Sequence, residues 1–297
     1  MNLNVWLASR GWRAEKLNRG WSGDEKFVVW QPGGGRMLLR RAPLSRREEQ
    51  RRAYEALRQL EGLPVRMSRP LEYFEDEDSA YLLLTWLEGE DAEPALARMS
   101  ESERYRQGVT AGEYLRQIHS IPAPANQPDW EERYNAKIDR KIRQWDECPI
   151  ELGECDCLKE YLSAHRALLS GRPQCFQHGD YHVGNLVIDR QNRLGVIDFN
   201  RWDYGDPWEE FNRITWCAQV SPAFASGYLN GYFGGVPEEA FFRLLKLYVA
   251  SNQLSSIPWA IPFGPQEVDV MVRQTREVVA WYDGFREMVP RWYRAHE

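Results

Sequence analysis

The stretch from Gln177 to Phe211 constrains the fold of this chain more than any other segment. It contains two short apolar runs, Leu186–Ile188 and Leu194–Ile197, and the polar residues 189–193 separate them. Two apolar runs around a short polar turn predict a β-hairpin. A hairpin brings the chain before its first strand and the chain after its second strand to one end of the ribbon. Residues at those two places can therefore share a site.

Three polar side chains stand at that end of the predicted hairpin. Asp180 and Asn185 come just before the first strand, and Asp198 directly follows the second. A carboxylate can orient a hydroxyl group and accept its proton, while a second carboxylate and an amide oxygen can hold Mg²⁺ against nucleotide phosphates. Asp180 and Asn185 have the five-residue spacing of the protein-kinase catalytic loop, and Asp198 stands where the kinase metal-binding Asp stands. The pattern indicates phosphoryl transfer; the alternative is a metal-free hairpin with incidental acids.

The motifs of this stretch resemble those of the aminoglycoside phosphotransferase family. The run HGDYHVGN begins at His178, IDF begins at Ile197 and GDP begins at Gly205, in the order that the family has. That family is a branch of the kinase-like superfamily, which also holds choline kinases and other small-molecule kinases. The resemblance implies an α+β, two-lobed protein-kinase-like fold. A small antiparallel-sheet lobe, residues 1–85, would bind the nucleotide, and a larger, mainly helical lobe, residues 86–297, would carry catalysis and the substrate.

The resemblance also assigns roles to the motif residues. It implies an ATP:alcohol phosphotransferase that uses ATP and Mg²⁺. Asp180 would be the catalytic carboxylate, with His178 beside it in the catalytic motif. Asn185 and Asp198 would be catalytic residues and the two Mg²⁺ ligands.

Two features near the start of the chain predict contacts with the nucleotide phosphates. Ser22 and Gly23 can form a turn between two strands, and backbone N–H groups in such a turn can face phosphates. Arg40 ends an apolar run at the position where kinases place the cation that holds the α- and β-phosphates. Arg41 should point to the opposite face, because side chains alternate along a strand. The alternative for Arg40 is a solvent-facing strand arginine.

Three more positions complete the predicted nucleotide site. A helix is predicted over residues 45–60, and the family would place the acidic partner of Arg40 near Ala53, which is not acidic. Glu49 is one turn earlier on the same face and is therefore the candidate partner. By the resemblance, Thr85 and Leu87 lie in the hinge, where backbone C=O and N–H groups bind adenine.

The acceptor is the least defined part of the prediction. The formal net charge of −6 argues against a nucleic-acid partner and is compatible with a cationic ligand, although mild acidity also serves solubility alone. With the resemblance it favours a polycationic aminoglycoside, attracted by the acids of residues 129–156 and by Glu267, Asp269 and Asp283. The alternatives are choline, a sugar, a hydroxy amino acid or another antibiotic as the acceptor, or a non-catalytic nucleotide-binding protein.

The sequence also predicts where the protein resides. No apolar run approaches the ~20 residues that span a bilayer, and the first residues lack the apolar core of a signal peptide. We therefore expect a cytoplasmic enzyme without a membrane partner. The five cysteines are then expected to be free thiols, and the oligomeric state stays open.

Overall fold

The computed structural model describes residues 3–17 and 23–295 as ten strands and ten α-helices. The strands are β1 Arg13–Leu17, β2 Glu25–Trp30, β3 Arg36–Pro43, β4 Pro70–Glu75, β5 Ser79–Thr85, β6 Glu90–Asp91, β7 Cys175–Gln177, β8 Leu186–Ile188, β9 Leu194–Val196 and β10 Asp203–Gly205. The helices are α1 Leu3–Ser9, α2 Arg47–Arg58, α3 Ala92–Ala97, α4 Glu101–Ile118, α5 Trp130–Asp146, α6 Cys157–Ala164, α7 Ile214–Val220, α8 Pro222–Phe233, α9 Glu239–Ala260 and α10 Pro265–Trp281.

The chain divides into two compact units. Residues 1–90 and 186–200 form the first unit, and residues 91–185 and 201–297 form the second. The first unit therefore contains the hairpin of β8 and β9 as well as the N-terminal strands.

A five-stranded antiparallel sheet forms the body of the first unit. Its strand order is β1-β2-β3-β5-β4, and Lys26 of β2 lies opposite Arg40 of β3. Residues of α1 and of the sheet bury one apolar cluster, in which Trp6, Leu39 and Leu83 are almost inaccessible to solvent. Neighbouring residues of β3 face opposite sides of the sheet. Because Leu39 points into the apolar cluster, Arg40 points to the other face of the sheet.

The predicted hairpin is confirmed. β8 and β9 pair antiparallel, with Ile188 opposite Leu194. Asp189 closes the turn, since its Oδ1 accepts N–H groups from Gln191 and Arg193, each at 2.9 Å. An Asp side chain that bonds its own backbone is a common turn device. The turn therefore sets the register that leaves Asp198 just beyond the end of β9.

The second unit is mainly helical, and its central pair is α4 and α8. Gly108 and Gly112 of α4 meet Gly227 and Gly231 of α8, and a β-carbon at any of the four would collide with the backbone of the facing helix. Glycine is required here for close approach and not for an unusual φ. Helix α9 is buried along most of its length, which makes it the centre of the remaining helical packing.

No helix in residues 3–17 or 23–295 is both long enough and apolar enough to cross a membrane.

Candidate active site

The loop that follows β7 carries three of the predicted catalytic residues, His178, Asp180 and Asn185. Gly179 has a φ of +80°, and a β-carbon at this position would collide with the carbonyl oxygen of Arg201. The loop can follow this path only because position 179 has no side chain. The Asn185 amide closes the loop, since its Nδ2 donates to the Asp180 carbonyl oxygen at 2.9 Å. Asp180 and Asn185 are thus held together by one hydrogen bond.

Two buried side chains hold this loop from inside the second unit. His178 is fully buried, and its Nδ1 accepts the N–H of Asp180 at 3.2 Å. Glu210 is 2% exposed and accepts the N–H groups of Gly179 at 3.1 Å and Tyr181 at 3.3 Å. His178 therefore supports the backbone of the loop from the interior.

Sequence analysis missed Glu210. Burial alone would raise the pKa of this carboxyl group, but the nearby His119, whose Nε2 lies 3.7 Å from Oε2, and the backbone N–H of Gly179 help to hold the pKa below the usual value. Glu210 is therefore an ionised acceptor for the loop. It lies four residues after Asp206 of the GDP motif, and no sequence motif singled it out.

Asp180 is surrounded by basic side chains. Its Oδ1 lies 2.8 Å from Arg213 Nε and 3.5 Å from His182 Nε2, and its Oδ2 lies 3.7 Å from Arg201 Nε. Burial raises the pKa of Asp180, but the neighbouring His182 and the charges of Arg213 and Arg201 outweigh it, so the pKa lies well below its usual value. Asp180 is an ionised acceptor at neutral pH. The two arginines were not predicted.

Asp198 occupies a strained position after β9, in the first unit. Its φ is +67°, a conformation that non-glycine residues rarely adopt and that concentrates at functional sites. Its Oδ2 lies 3.5 Å from Lys26 Nζ, which sequence analysis did not identify. Its Oδ1 is buried and accepts no hydrogen bond from the residues that the structure describes. A buried carboxylate oxygen without a donor is costly unless a ligand completes it.

The donor set fits a magnesium ion better than a transition metal. No group of three or more His, Cys, Asp or Glu side chains within residues 3–17 and 23–295 could hold a metal. Mg²⁺ needs no such protein cage, because it keeps several waters and is held by one or two carboxylates together with substrate phosphates. The buried Oδ1 of Asp198 is a ligand of the required type.

Arg40 is buried in a cluster that also explains its acidic partner. Its side chain is 9% exposed, and its Nη2 donates to Asp24, whose side chain is completely buried. Asp24 also accepts Arg46 Nη1 and Gln50 Nε2, each at 2.8 Å. The partner of Arg40 is therefore Asp24, which lies just before β2.

Glu49, the predicted partner, bonds a different arginine. Its Oε1 lies 2.6 Å from Arg46 Nη2, and its side chain is 53% exposed. The reason is the orientation of α2 about its axis, which points Gln50 towards the interior and leaves Glu49 on the outer side. Arg41 is 41% exposed and pairs with Glu25 at 3.2 Å, which places it on the face opposite Arg40, as strand alternation predicts.

The predicted phosphate turn is described only in part. Ser22 lies outside the described residues. Gly23 is exposed, and a β-carbon there would lie 3.3 Å from Arg46 Nη1. Gly23 therefore lies beside the Asp24 cluster.

The two hinge residues differ in what their backbone can offer. Thr85 ends β5, and its N–H donates to the Arg69 carbonyl at 2.8 Å. A backbone N–H that already donates is not available to a base, so only the carbonyl group of Thr85 could serve. Leu87 is half-buried in an irregular segment and packs closely over Gly195 of β9.

Comparisons of sequence add an independent line of evidence. The sequence model of the phosphotransferase enzyme family matches residues 13–245, which is most of the chain. Curated proteins give no match to this sequence.

Many solved structures share the fold. The gentamicin complex of APH(2'')-IIa superposes with a TM-score of 0.66 at 17% identity, covering 93% of this chain and 96% of that one. A thermostable mutant of aminoglycoside phosphotransferase APH(4)-Ia, in a ternary complex with ADP and hygromycin B, gives 0.66 at 15% identity, covering 93% and 97%. An aminoglycoside-3'-phosphotransferase of type VIII gives 0.53 at 21% identity, covering 84% and 98%. The predicted α+β, kinase-like fold is confirmed.

Proposed function

The chain belongs to the phosphotransferase enzyme family and is a small-molecule kinase, and on this premise we propose that it transfers the γ-phosphate of ATP to a hydroxyl group of its acceptor. The observation that carries the proposal is Asp180, an ionised carboxylate at the tip of a loop that Glu210 and His178 hold in place. An ionised carboxylate is an acceptor only, and it can take the proton of the hydroxyl group that it orients.

Asp180 is proposed to orient the acceptor hydroxyl and to receive its proton. The low pKa makes it a weak base, which suits this chemistry. In a loose phosphoryl-transfer transition state, positioning and charge stabilisation contribute most of the catalysis, and little covalent work is left to the base. Arg213 fixes the carboxylate, since its Nε lies 2.8 Å from Oδ1.

Asn185 and Asp198 are proposed as the Mg²⁺ ligands. The buried Oδ1 of Asp198, which accepts no hydrogen bond from the described residues, supports this assignment. The bound ion would neutralise charge on the β- and γ-phosphates. Lys26 balances the charge of Asp198 from the side of Oδ2.

The donor site is proposed around Arg40, with Gly23, Thr85 and Leu87 as further contacts. Asp24 holds Arg40, while Arg40 Nε has no hydrogen-bond partner among the described residues. A guanidinium group has five donors, so Asp24 does not exhaust it. The structure named above that contains ADP supports a nucleotide in proteins of this fold.

Some observations support the prediction of an aminoglycoside acceptor, and others argue against it. Proteins of this fold have been solved with gentamicin and with hygromycin B. The acids expected to attract ammonium groups, however, are mostly exposed, and three of them are paired: Asp139 with Arg166, Asp146 with Lys159 and Glu154 with Arg276. Asp283 is paired with Arg286 and Arg291. Our proposal for the acceptor is therefore a hydroxyl-bearing small molecule, with aminoglycosides as one class to test.

An ADP-release assay with ATP and Mg²⁺ tests the proposal. The panel contains aminoglycosides, choline, neutral sugars and hydroxy amino acids. Asp180→Ala should lower kcat by about 10²–10⁴ and keep ATP affinity. Asp198→Ala should also remove the metal dependence of nucleotide binding. The exposed Asp156→Ala serves as the matched control. Wild-type turnover in Asp180→Ala would refute the assignment of Asp180, and ATP binding without any turnover would favour the non-catalytic alternative.

A further inference from the structure

The charges around Asp180 bear on the chemical class of the acceptor. Arg213 and Arg201 lie 2.8 Å and 3.7 Å from its carboxylate oxygens, so this small group has one negative and two positive charges. We propose that the acceptor carries an anionic group, such as a carboxylate, close to the hydroxyl that receives the phosphate. The inference rests on the proposed function, because it takes Asp180 as the group that orients that hydroxyl.

Each guanidinium group can bind more than Asp180. In each arginine the ion pair with the carboxylate is made through Nε, and a guanidinium group has five N–H donors. Neither Arg201 nor Arg213 has a second acidic partner within residues 3–17 and 23–295. The planar guanidinium fork matches the two oxygens of a carboxylate, which lets one group face Asp180 at one edge and a ligand at another.

Arg201 is both accessible and fixed at its backbone. Its side chain is 52% exposed, so a ligand can reach it. Its carbonyl oxygen lies where a β-carbon of residue 179 would be, which holds its backbone against Gly179. An accessible cation at a fixed place beside the catalytic carboxylate is an arrangement that selects ligands by charge.

The side chains behind the two arginines do not reverse this sign. Lys141 of α5 is buried, and its pKa is lowered by burial first and then by nearby positive charges, including Lys137 and Arg213. The two acids on this side are already engaged, because Glu209 lies 2.9 Å from Lys137 Nζ and Glu210 accepts the loop N–H groups. Glu209 is therefore balanced by Lys137, and the charges of Arg213 and Arg201 remain the ones nearest to the Asp180 carboxylate.

An ammonium group near the reacting hydroxyl would meet two like charges at this site. A carboxylate would be attracted, and the attraction would fall with added salt. The protein as a whole has a net charge of −6, yet the sign at Asp180 is positive. The local charge decides which part of an acceptor can approach Asp180. The class of the acceptor is therefore inferred from the charges at this site and not from the net charge of the protein.

A set of three probes with the same ring separates charge from shape: D-glucuronate, D-glucose and D-glucosamine. Their dissociation constants are measured by ligand-observed NMR on the full chain with Mg²⁺ and ADP. We expect glucuronate to bind about fivefold tighter than glucose, the most that one partly exposed ion pair typically gives, and glucosamine to bind most weakly. Any other order of the three in the wild-type protein would overturn the inference.

Charge reversal at one residue locates the effect. Arg201→Gln should remove the preference for glucuronate, and Arg201→Glu should reverse it. The exposed Arg190→Gln is the matched control and should keep the wild-type order. A preference that survives Arg201→Glu would overturn the proposed site. Because Arg201 is half exposed, these variants should fold as the wild type does.

Turnover separates this inference from the proposed function. With an anionic hydroxyl acceptor, Arg201→Gln should raise the KM of the acceptor about fivefold and leave the KM of ATP unchanged. A rise in the KM of ATP alone would place Arg201 on the transferred phosphate and overturn the inference. Turnover of aminoglycosides alone would uphold the kinase and refute the anionic acceptor. The expected order of probe affinities without any ATP turnover would uphold the preference for an anionic ligand and refute the kinase activity.

Discussion

Asp24 is a residue at which the structure predicts a large effect on the stability of the first unit. Its carboxylate is completely buried and accepts hydrogen bonds from Arg40, Arg46 and Gln50. The Arg40 side chain is only 9% exposed. Asp24→Ala therefore leaves a buried guanidinium without its counter-charge, which typically costs about 3–5 kcal/mol of the free energy of unfolding.

Removing Arg40 instead of Asp24 should lower the free energy of unfolding by a smaller amount. Arg40→Met leaves Asp24 with two of its three donors, so we expect a loss of about 1–3 kcal/mol, as for a buried hydrogen bond to a charged group. Met fills most of the volume of the arginine stem. The double variant removes both charges together, and its cost should fall short of the sum of the two single costs by at least ~1 kcal/mol because the two residues are in contact.

Urea unfolding followed by circular dichroism measures all three variants. Glu49→Ala is the matched control, because Glu49 also pairs with Arg46 but is 53% exposed, and such pairs contribute about 0–1 kcal/mol. The reasoning is refuted if Asp24→Ala costs no more than Glu49→Ala. It is also refuted if the costs of Asp24→Ala and Arg40→Met are additive.

Three further predictions concern the site. Arg40→Ala should weaken ATP binding in a calorimetric titration more than Arg41→Ala does, and equal effects would exclude Arg40 from the phosphate site. Glu210→Gln leaves one loop N–H without an acceptor, so unfolding free energy should fall by about 1–3 kcal/mol and kcat should fall at unchanged ATP affinity; wild-type values of both would contradict this. Lys26→Gln removes the ammonium group 3.5 Å from Asp198, so Mn²⁺ measured by electron paramagnetic resonance without nucleotide should bind a few-fold tighter, at about the strength of one ion pair. Unchanged Mn²⁺ affinity would show that Lys26 and Asp198 are not coupled.

The parts of the structure that could be predicted are those with local signals. The two apolar runs and the Asp189 turn specify β8 and β9, and the turn bonds that form them join residues at most four apart. The position of Asp198 after β9 follows from that hairpin. The Asn185 hydrogen bond that closes the catalytic loop also spans only five residues.

The partner of Arg40 could not be predicted in the same way. Helical periodicity places Glu49 and Gln50 on α2 but does not say which of them faces the sheet, and the structure turns Gln50 inwards. The buried acid, Asp24, lies outside the helix, where the family pattern did not direct attention. Burial of a charge depends on which elements pack together, and the sequence carries that information only through contacts between distant residues.

The charge around Asp180 shows the same limit and explains why the acceptor was the weakest prediction. A net charge of −6 is a sum over the whole surface, and many acids of residues 129–156 contribute to it from exposed positions. Arg201 and Arg213 lie 21 and 33 residues after Asp180, and no spacing rule links them to it. Folding brings both to one carboxylate, where two positive charges outweigh one negative charge at the proposed point of contact with the acceptor. The sign that an acceptor meets is therefore set by three residues, against the sign of the whole chain.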